Sequence, residues 1–171
     1  HQNKIAALAY QLKLVRTPQF NQYINQVIKN TQSMALKFKE LEYKLSTDGS
    51  DNHLILIDLK PLGITGSKVE FICELVEISL NKNAVYGDKS AISPGGIRIG
   101  TSAMTTRGCK EADFIVITDL IHQCVILGLK IQEGHKKLAD FKKNVNNYMD
   151  DINTIKQQVY NFTSKFEFIE I

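Results

Sequence analysis

A long amphipathic helix near the start of the sequence is the feature that most constrains this chain. Thr17 is a favourable N-cap residue, and Pro18 suits the first helical position because an N–H there would have no helical partner. Apolar residues then recur at helical spacing, which predicts a helix over residues 18–42, about 37 Å long at 1.5 Å per residue. A helix this long in a chain of 171 residues often bridges two domains. The length thus fits one ordinary domain, or one modest domain and a piece of another.

The segments around this helix predict strands as well as helices. A helical apolar pattern covers residues 1–14, and apolar, β-branched runs predict strands at residues 53–59 and 97–99. Shorter strands are expected at residues 43–45 and 78–80.

Further helices are expected after the first strands. Ser67 and Glu70 have the spacing of a capping box. Asp151 is a plausible N-cap for a helix over residues 151–164. The other predicted helices begin near Lys110 and cover residues 135–147. The order α, α, β, β, α, β, β, α, α, α is typical of an α+β fold, a small sheet with helices packed on it.

Charge and reactive residues exclude several classes of function. The net charge of +3 is too balanced to demand a nucleic acid or an anionic membrane, so neither is expected as a partner. The three cysteines are odd in number and widely spaced, which favours a reducing compartment over a disulfide framework. Cys109 follows Gly108 and could be exposed, but no base for a catalytic thiol is visible. The histidines show no metal-ligand spacing, and His122 is best interpreted as a packing residue.

The segment from Asn81 to Gly108 is the most informative part of the chain. It begins with a long polar loop, which in a compact chain is usually functional or disordered. Near its end Arg98 lies between Ile97 and Ile99, so its side chain should point to the opposite face of the strand. A guanidinium group in an apolar strand requires an anion opposite it, and a carboxylate fits its planar fork. From composition alone, a substrate carboxylate and an internal salt bridge are about equally supported.

Three long sequence segments then resemble one enzyme family. They are NKNAVYGDKSAISPGGIRIGTSAMTTRG (81–108), DGSDNHLILIDLKPLGITG (48–66), and HQNKIAALAYQLK (1–13) followed by TPQF (17–20). All are similar to the corresponding segments of serine hydroxymethyltransferases, in the family's order and at close to its spacing. The resemblance covers essentially the whole chain and is strongest over residues 47–108.

The resemblance implies roles for individual residues. Arg98 matches the family's arginine that holds the carboxylate of the amino-acid substrate, and Asn83 matches the asparagine that contacts the pterin ring of folate. Folate contacts are also implied for residues aligned with Ser90, Ala91 and Ile92.

The resemblance also implies an architecture and a reaction. The family uses pyridoxal 5'-phosphate to interconvert serine plus tetrahydrofolate with glycine plus 5,10-methylenetetrahydrofolate. Residues 1–16 would end the large cofactor-binding domain, residues 17–42 would be the connecting helix, and residues 43–171 would form the C-terminal small domain of this type I fold. The Schiff-base lysine would lie upstream of this chain, which alone is expected to be inactive.

The expected partners are the large domain of the same polypeptide, further subunits of a homodimer or homotetramer, serine or glycine, and folate. A cytoplasmic location is favoured, with mitochondrial and plastid forms left open. Two alternatives remain: a non-catalytic, lysine-less paralogue, and a small binding module that uses Arg98 for some other carboxylate.

Overall fold

The computed structural model describes residues 1–89, 93–135 and 137–167, which form helices and one small sheet. The helices are α1 (Gln2–Leu14), α2 (Pro18–Glu40), α3 (Gly66–Leu75), α4 (Ser102–Thr106), α5 (Glu111–Ile131), α6 (Leu138–Asn144) and α7 (Met149–Thr163). Short 3₁₀ helices cover Lys60–Leu62 and Val145–Tyr148. The strands are β1 (Lys44–Leu45), β2 (Leu54–Asp58), β3 (Asn81–Asn83) and β4 (Gly96–Gly100).

The sheet has the strand order β1-β2-β4-β3, and every neighbouring pair is antiparallel. In the two pairings of β4, Arg98 lies opposite Leu56 of β2 and Asn81 of β3. The predicted α+β class with a small antiparallel-rich sheet is confirmed.

Helix α2 begins as the sequence predicts. The side chain of Thr17 accepts a hydrogen bond from the backbone N–H of Phe20 at 3.3 Å, and Pro18 is the first helical residue. The helix ends at Glu40, two residues before the predicted end, and Glu42 then adopts a positive φ of 61°. Its buried residues begin at Val27 and end at Phe38, so its second half packs most deeply.

One face of the sheet and the helices form a continuous core. The inward side chains of the two central strands, Ile55, Ile57, Ile97 and Ile99, are buried with residues of α2, α3, α5 and α7. The predicted stripe of α7 is also confirmed, and its members are Ile152, Ile155, Val159 and Phe162. The opposite face of the sheet is therefore the one available to a ligand or to another part of the protein.

Helix α5 is the central helix of this core. Its length and a mean hydropathy of 1.8 over its most apolar window would suffice to cross a membrane, yet 50% of that window is buried inside the protein. Phe114, Ile121 and Val125 all lie in the core cluster. The apolar composition of α5 is thus accounted for by packing against its neighbours.

Helix α1 differs from the others because none of its residues is buried. Its large apolar side chains are exposed, with relative exposures of 66% for Ile5, 60% for Leu8, 65% for Tyr10 and 55% for Leu12. A short helix gains most of its stability in water by packing an apolar face. In the described residues α1 has no such packing.

The predicted strand at residues 78–80 is wrong, because the end of α3 uses Ile78 in another way. Glu77 has a positive φ of 66°, and the N–H of Ile78 donates to the carbonyl oxygen of Cys73 at 2.8 Å. This is the pattern of a Schellman C-cap, which closes the helix. Strand pairing consequently begins only at Asn81.

Two predicted caps are also wrong. Helix α3 starts at Gly66 without a side-chain cap, and Glu70 instead accepts hydrogen bonds from Lys82. Helix α7 continues from the preceding 3₁₀ turn, and Asp151 pairs with Lys130 at 3.2 Å rather than capping the helix.

Candidate functional site

Arg98 projects from the open face of the sheet, as the strand alternation predicts. Its neighbours Ile97 and Ile99 are 0% and 6% exposed, whereas Arg98 itself is exposed. The alternation of β4 therefore separates a buried apolar row from one outward guanidinium group.

The surroundings of Arg98 leave room for a ligand. On the same face of β4, the space beside Gly100 is open, because a Cβ atom there would meet only the carbonyl oxygen of His53, at 3.8 Å. The space beside Gly96 is filled, because a Cβ atom there would lie 2.5 Å from Cγ1 of Val85. Across the sheet stand Leu56 and Asn81, and one guanidinium nitrogen of Arg98 donates to Oδ1 of Asn81 at 3.4 Å. That bond is long, so most of the donor capacity of the guanidinium remains for another acceptor.

Arg98 forms no internal salt bridge with the described residues. Within residues 1–89, 93–135 and 137–167, none of the ion pairs involves Arg98. A planar cation without a carboxylate partner in this part of the chain is suited to bind an external carboxylate through two parallel hydrogen bonds.

Asn83 shares the open face with Arg98. Because Asn81 pairs with Arg98 and Asn83 with Gly96, Arg98 and Asn83 are diagonal neighbours, roughly 7–8 Å apart by sheet geometry. The amide nitrogen of Asn83 donates to the carbonyl oxygen of Ala84 at 2.8 Å. The strand register thus brings together Asn83 and Arg98, which lie 15 positions apart in the sequence.

The edge strand that carries Asn83 is anchored by α3. Glu70 accepts from the backbone N–H of Lys82 at 3.0 Å and pairs with its ammonium group at 2.9 Å. Burial tends to raise the pKa of Glu70, but these bonds outweigh it and lower that pKa overall. The charged form of Glu70 therefore holds β3 in place.

The C-terminal end of the loop after Asn83 is held by two backbone hydrogen bonds. Gly95 accepts from the N–H of Leu59 at 2.9 Å, and Pro94 accepts from the N–H of Gly66 at 2.8 Å. A Cβ atom on Gly66 would lie 2.0 Å from the carbonyl oxygen of Gly96, so only glycine allows α3 to approach β4 this closely.

Asp88 links the two sides of the same loop through hydrogen bonds to backbone N–H groups. One of its carboxylate oxygens accepts from the N–H of Gly95 at 2.8 Å and from the N–H of Val85 at 2.9 Å. These backbone bonds, with Lys60 3.7 Å from the other oxygen, lower the pKa of Asp88. Lys60 also donates to the carbonyl oxygen of Tyr86. The loop is consequently fastened next to the face that carries Arg98 and Asn83.

Acidification should loosen this loop through Asp88. Because the folded pKa is lowered, the stabilisation is fully present above the ordinary value of about 3.9 and is lost as the pH falls through the folded value. Amide exchange of Val85 and Gly95, corrected for intrinsic rates, should therefore accelerate below about pH 4. At pH 6, Asp88→Asn should lower the local stability of the loop by about 1 kcal/mol.

The matched control for that experiment is Asp48→Asn, since the Asp48 side chain is 89% exposed. It should leave the exchange of Val85 and Gly95 unchanged. The same acid transition in Asp88→Asn as in the unmodified chain would show that another group holds the loop.

The other predicted folate-contacting residues, Ser90, Ala91 and Ile92, lie outside the described residues. Their assignment stays a prediction that rests on the family resemblance.

Cys109 and His122 have structural surroundings instead of catalytic ones. Cys109 is buried, which corrects the expectation that it could be exposed, and burial followed by the charge of Asp113 raises its pKa to about 11. The hydroxyl of Tyr43 lies 2.8 Å from Nδ1 of His122, which accounts for that histidine. No group of three or more metal-ligating side chains occurs within the part of the chain that the structure describes.

Lys68, a buried lysine among the described residues, is not placed to hold pyridoxal phosphate, which requires a lysine amine facing the substrate. The buried lysine, Lys68, donates to Gln132 at 3.0 Å and to the carbonyl oxygen of His135 at 3.3 Å. These partners follow α5, and the ammonium group also lies 5.2 Å from the ring centre of Phe141 in α6. Lys68 therefore joins helices and is not directed to the face of Arg98.

Sequence reasoning missed three residues that build the site. Asn81 contacts Arg98, but its position depends on a strand register that the sequence does not specify. Asp88 fixes the loop through backbone groups, and its place among Tyr86, Gly87 and Gly95 is only a weak turn signal. Thr101 directly follows β4 and is 0% exposed. It ends the GGIRIGT segment, where the resemblance predicts a structural residue, but its contact with α2 has no local sequence signal.

Comparison with known proteins finds one family of similar sequences. The profile of the family described as serine hydroxymethyltransferase matches residues 1–121. Serine hydroxymethyltransferase 5 of Arabidopsis thaliana is 51% identical over 169 residues, covering 98% of this chain and 36% of the relative. The cytosolic enzyme of Saccharomyces cerevisiae is 43% identical, covering 97% of this chain and 36% of the relative.

Another relative is serine hydroxymethyltransferase 3, chloroplastic, of Arabidopsis thaliana, which is 43% identical over 172 residues. That alignment covers 97% of this chain and 32% of the relative. The chain thus spans about a third of the length of these curated relatives.

Proposed function

Because the chain belongs to the serine hydroxymethyltransferase family, we propose that it is the C-terminal part of an enzyme that interconverts serine plus tetrahydrofolate with glycine plus 5,10-methylenetetrahydrofolate. One observation carries the proposal. Arg98, in the GGIRIGT segment, stands on the open face of the sheet between Gly96 and Gly100 with a diagonal neighbour, Asn83.

In this proposal Arg98 holds the carboxylate of serine or glycine. A bidentate pair fixes both the position and the orientation of the bound amino acid, which is the main requirement for a reaction at one chosen bond. Because Arg98 is exposed, an ion pair there would be worth only about 0–1 kcal/mol in water. Strong binding therefore requires a second protein surface that covers Arg98 and excludes solvent.

Asn83 would contact the pterin ring of the folate substrate. A primary amide offers both donors and an acceptor, which complements the mixed edge of a pterin. Ser90, Ala91 and Ile92 would provide further folate contacts from the same loop. The closeness of Asn83 to Arg98 is consistent with a reaction in which a carbon unit passes between the amino acid and folate.

The rest of the polypeptide would supply the covering surface. We propose that residues 1–16 end the large domain and that residues 43–171 form the small domain. Residues 17–42 would connect the two. The exposed apolar side chains of α1 support this division, because they require a partner to be removed from water.

The cofactor would also belong to that other part of the enzyme. Pyridoxal phosphate, when bound there, would supply the electron sink for bond cleavage at the amino acid, and the lysine that holds it would lie outside these 171 residues. The chain alone is accordingly proposed to be inactive. A homodimer or homotetramer and a cytoplasmic location remain predictions, and the relatives carry both cytosolic and chloroplastic names.

The folate assignment is tested with Asn83→Ala in the full-length enzyme. Loss of a hydrogen bond worth about 1.5 kcal/mol should lower folate-dependent serine turnover roughly tenfold. Folate-independent cleavage of a 3-hydroxy amino acid should stay within about twofold, because it does not use the pterin.

The matched control is Asn161→Ala, which removes an exposed amide from α7 on the helical side of the sheet. It should change neither reaction. An equal loss of both activities in Asn83→Ala would indicate a folding defect instead of a lost folate contact.

A further inference from the structure

Thr101 is the buried anchor at the end of the strand that carries Arg98. It is 0% exposed, and its backbone N–H donates to the carbonyl oxygen of His53 at 2.9 Å. This bond continues the β2–β4 ladder one step beyond the pair of Leu54 and Gly100. Thr101 lies on the inward side of β4, whereas Arg98, three residues earlier, lies on the outward side.

The hydroxyl group of Thr101 ties this strand end to α2. Its Oγ1 lies 2.6 Å from Oγ1 of Thr31 and 3.4 Å from the carbonyl oxygen of Val27. When Thr31 donates to that same carbonyl at 2.8 Å, Thr101 is the donor to Thr31. The hydroxyl of Thr101 also lies 3.2 Å from the carbonyl oxygen of His53. A chain of two hydroxyl groups thus links β4 to the backbone of α2.

Neighbouring bonds attach the next residues to the same helix. Thr105 donates to the carbonyl oxygen of Thr101 at 2.8 Å, and Asn30 of α2 donates to Thr105 at 2.8 Å. The hydroxyl of Tyr23 lies 2.9 Å from that of Thr106. The exit of β4 is therefore fixed by several contacts to α2, of which the Thr31–Thr101 pair is nearest to Arg98.

We propose that Thr101 is a positioning residue for Arg98: its hydroxyl bond to Thr31 sets the placement of β4, and so of the guanidinium group, relative to α2. This inference rests on the proposed role of Arg98 as the carboxylate anchor. A bidentate pair between a guanidinium group and a carboxylate depends on close geometry, so a small shift of β4 would weaken the binding of serine.

The test compares substituted forms of the full-length enzyme by their kinetics with serine. Thr101→Val keeps the shape but removes the hydroxyl, and it should raise KM for serine about tenfold while kcat stays within about threefold. Thr101→Ser keeps the hydroxyl and should return KM to within about twofold of the unmodified enzyme.

The control Thr118→Val removes another fully buried hydroxyl, which donates to Phe114 within α5. It should lower Tm without changing KM. A purely structural role for Thr101 predicts the same behaviour as Thr118→Val, a lower Tm with KM unchanged.

The outcomes separate this inference from the proposed function. If Arg98→Ala destroys serine turnover while Thr101→Val leaves KM unchanged, only the positioning role is overturned. If Arg98→Ala is also without effect, the proposed function itself fails. Should Thr101→Val not fold, Thr31→Val removes the same link from α2. An increase in its KM for serine of at least threefold would support the positioning role, and an unchanged KM would overturn it.

Discussion

Arg98→Ala should lower kcat/KM for serine by more than about 100-fold in the full-length enzyme. Loss of a charge-assisted, bidentate contact in a closed site costs on the order of 3 kcal/mol, and each 1.36 kcal/mol corresponds to a factor of about ten. Cofactor binding should be unchanged, because in our proposal the cofactor is held elsewhere. Steady-state kinetics with serine, together with the absorbance of the bound cofactor, measures both quantities.

Arg98→Lys should recover only part of this loss. A lysine keeps the charge but cannot form two parallel hydrogen bonds to one carboxylate, so about a tenfold defect should remain. The control Lys156→Ala removes a positive charge from α7, where Lys156 pairs with Glu77 at 2.9 Å, and should leave serine turnover unchanged. Normal turnover in Arg98→Ala would refute the assignment.

Asn30→Ala should lower the free energy of unfolding of the 171-residue chain by about 3 kcal/mol. Asn30 is 0% exposed, and its amide nitrogen donates to Oγ1 of Thr105 at 2.8 Å and to the carbonyl oxygen of Cys109 at 2.9 Å. Its oxygen accepts from Gln26 at 2.8 Å. Removal of the amide takes one hydrogen-bond partner from the Thr105 hydroxyl and one from the carbonyl oxygen of Cys109, and it leaves a cavity in the core. Urea unfolding measures the cost.

Asn30→Asp separates the hydrogen bonds from simple packing. The carboxyl group has nearly the same shape, but an ionised oxygen would face the carbonyl oxygen of Cys109, so we expect at least as large a loss as in Asn30→Ala. Asn25→Ala, at an exposed position of the same helix, should stay within about 0.5 kcal/mol. A loss of stability in Asn30→Asp much smaller than in Asn30→Ala would mean that the cavity, and not the polar contacts, dominates.

The sequence predicts the parts of the fold that depend on local patterns. Thr17 and Pro18 set the start of α2, and the alternation around Arg98 places its side chain on the open face. Both signals are contained within a few residues, because capping and strand pleating are local effects.

Long-range partners explain what could not be predicted. The spacing of Ser67 and Glu70 predicts a capping box, because the sequence does not show that Lys82 lies beside Glu70. Ile78 and Leu80 are apolar and alternate as in a strand, but the helix cap at Ile78 prevents pairing there. The contact of Thr31 with Thr101 joins residues 70 positions apart, and no local pattern specifies it.

In the proposed enzyme, the substrate site is divided between this chain and a second surface. The described chain contributes Arg98, Asn83 and the loop fixed by Asp88 on one exposed surface. In the proposed enzyme that surface becomes effective only when a second surface excludes water from the guanidinium group. The chain would thus carry half of a substrate site.

A crystal structure of the full-length enzyme with bound serine tests this account most directly. We predict that both carboxylate oxygens of serine lie about 2.8 Å from guanidinium nitrogens of Arg98, with surrounding protein covering that pair. A serine carboxylate held by other residues, with Arg98 still solvent-exposed beside Asn81, would contradict it.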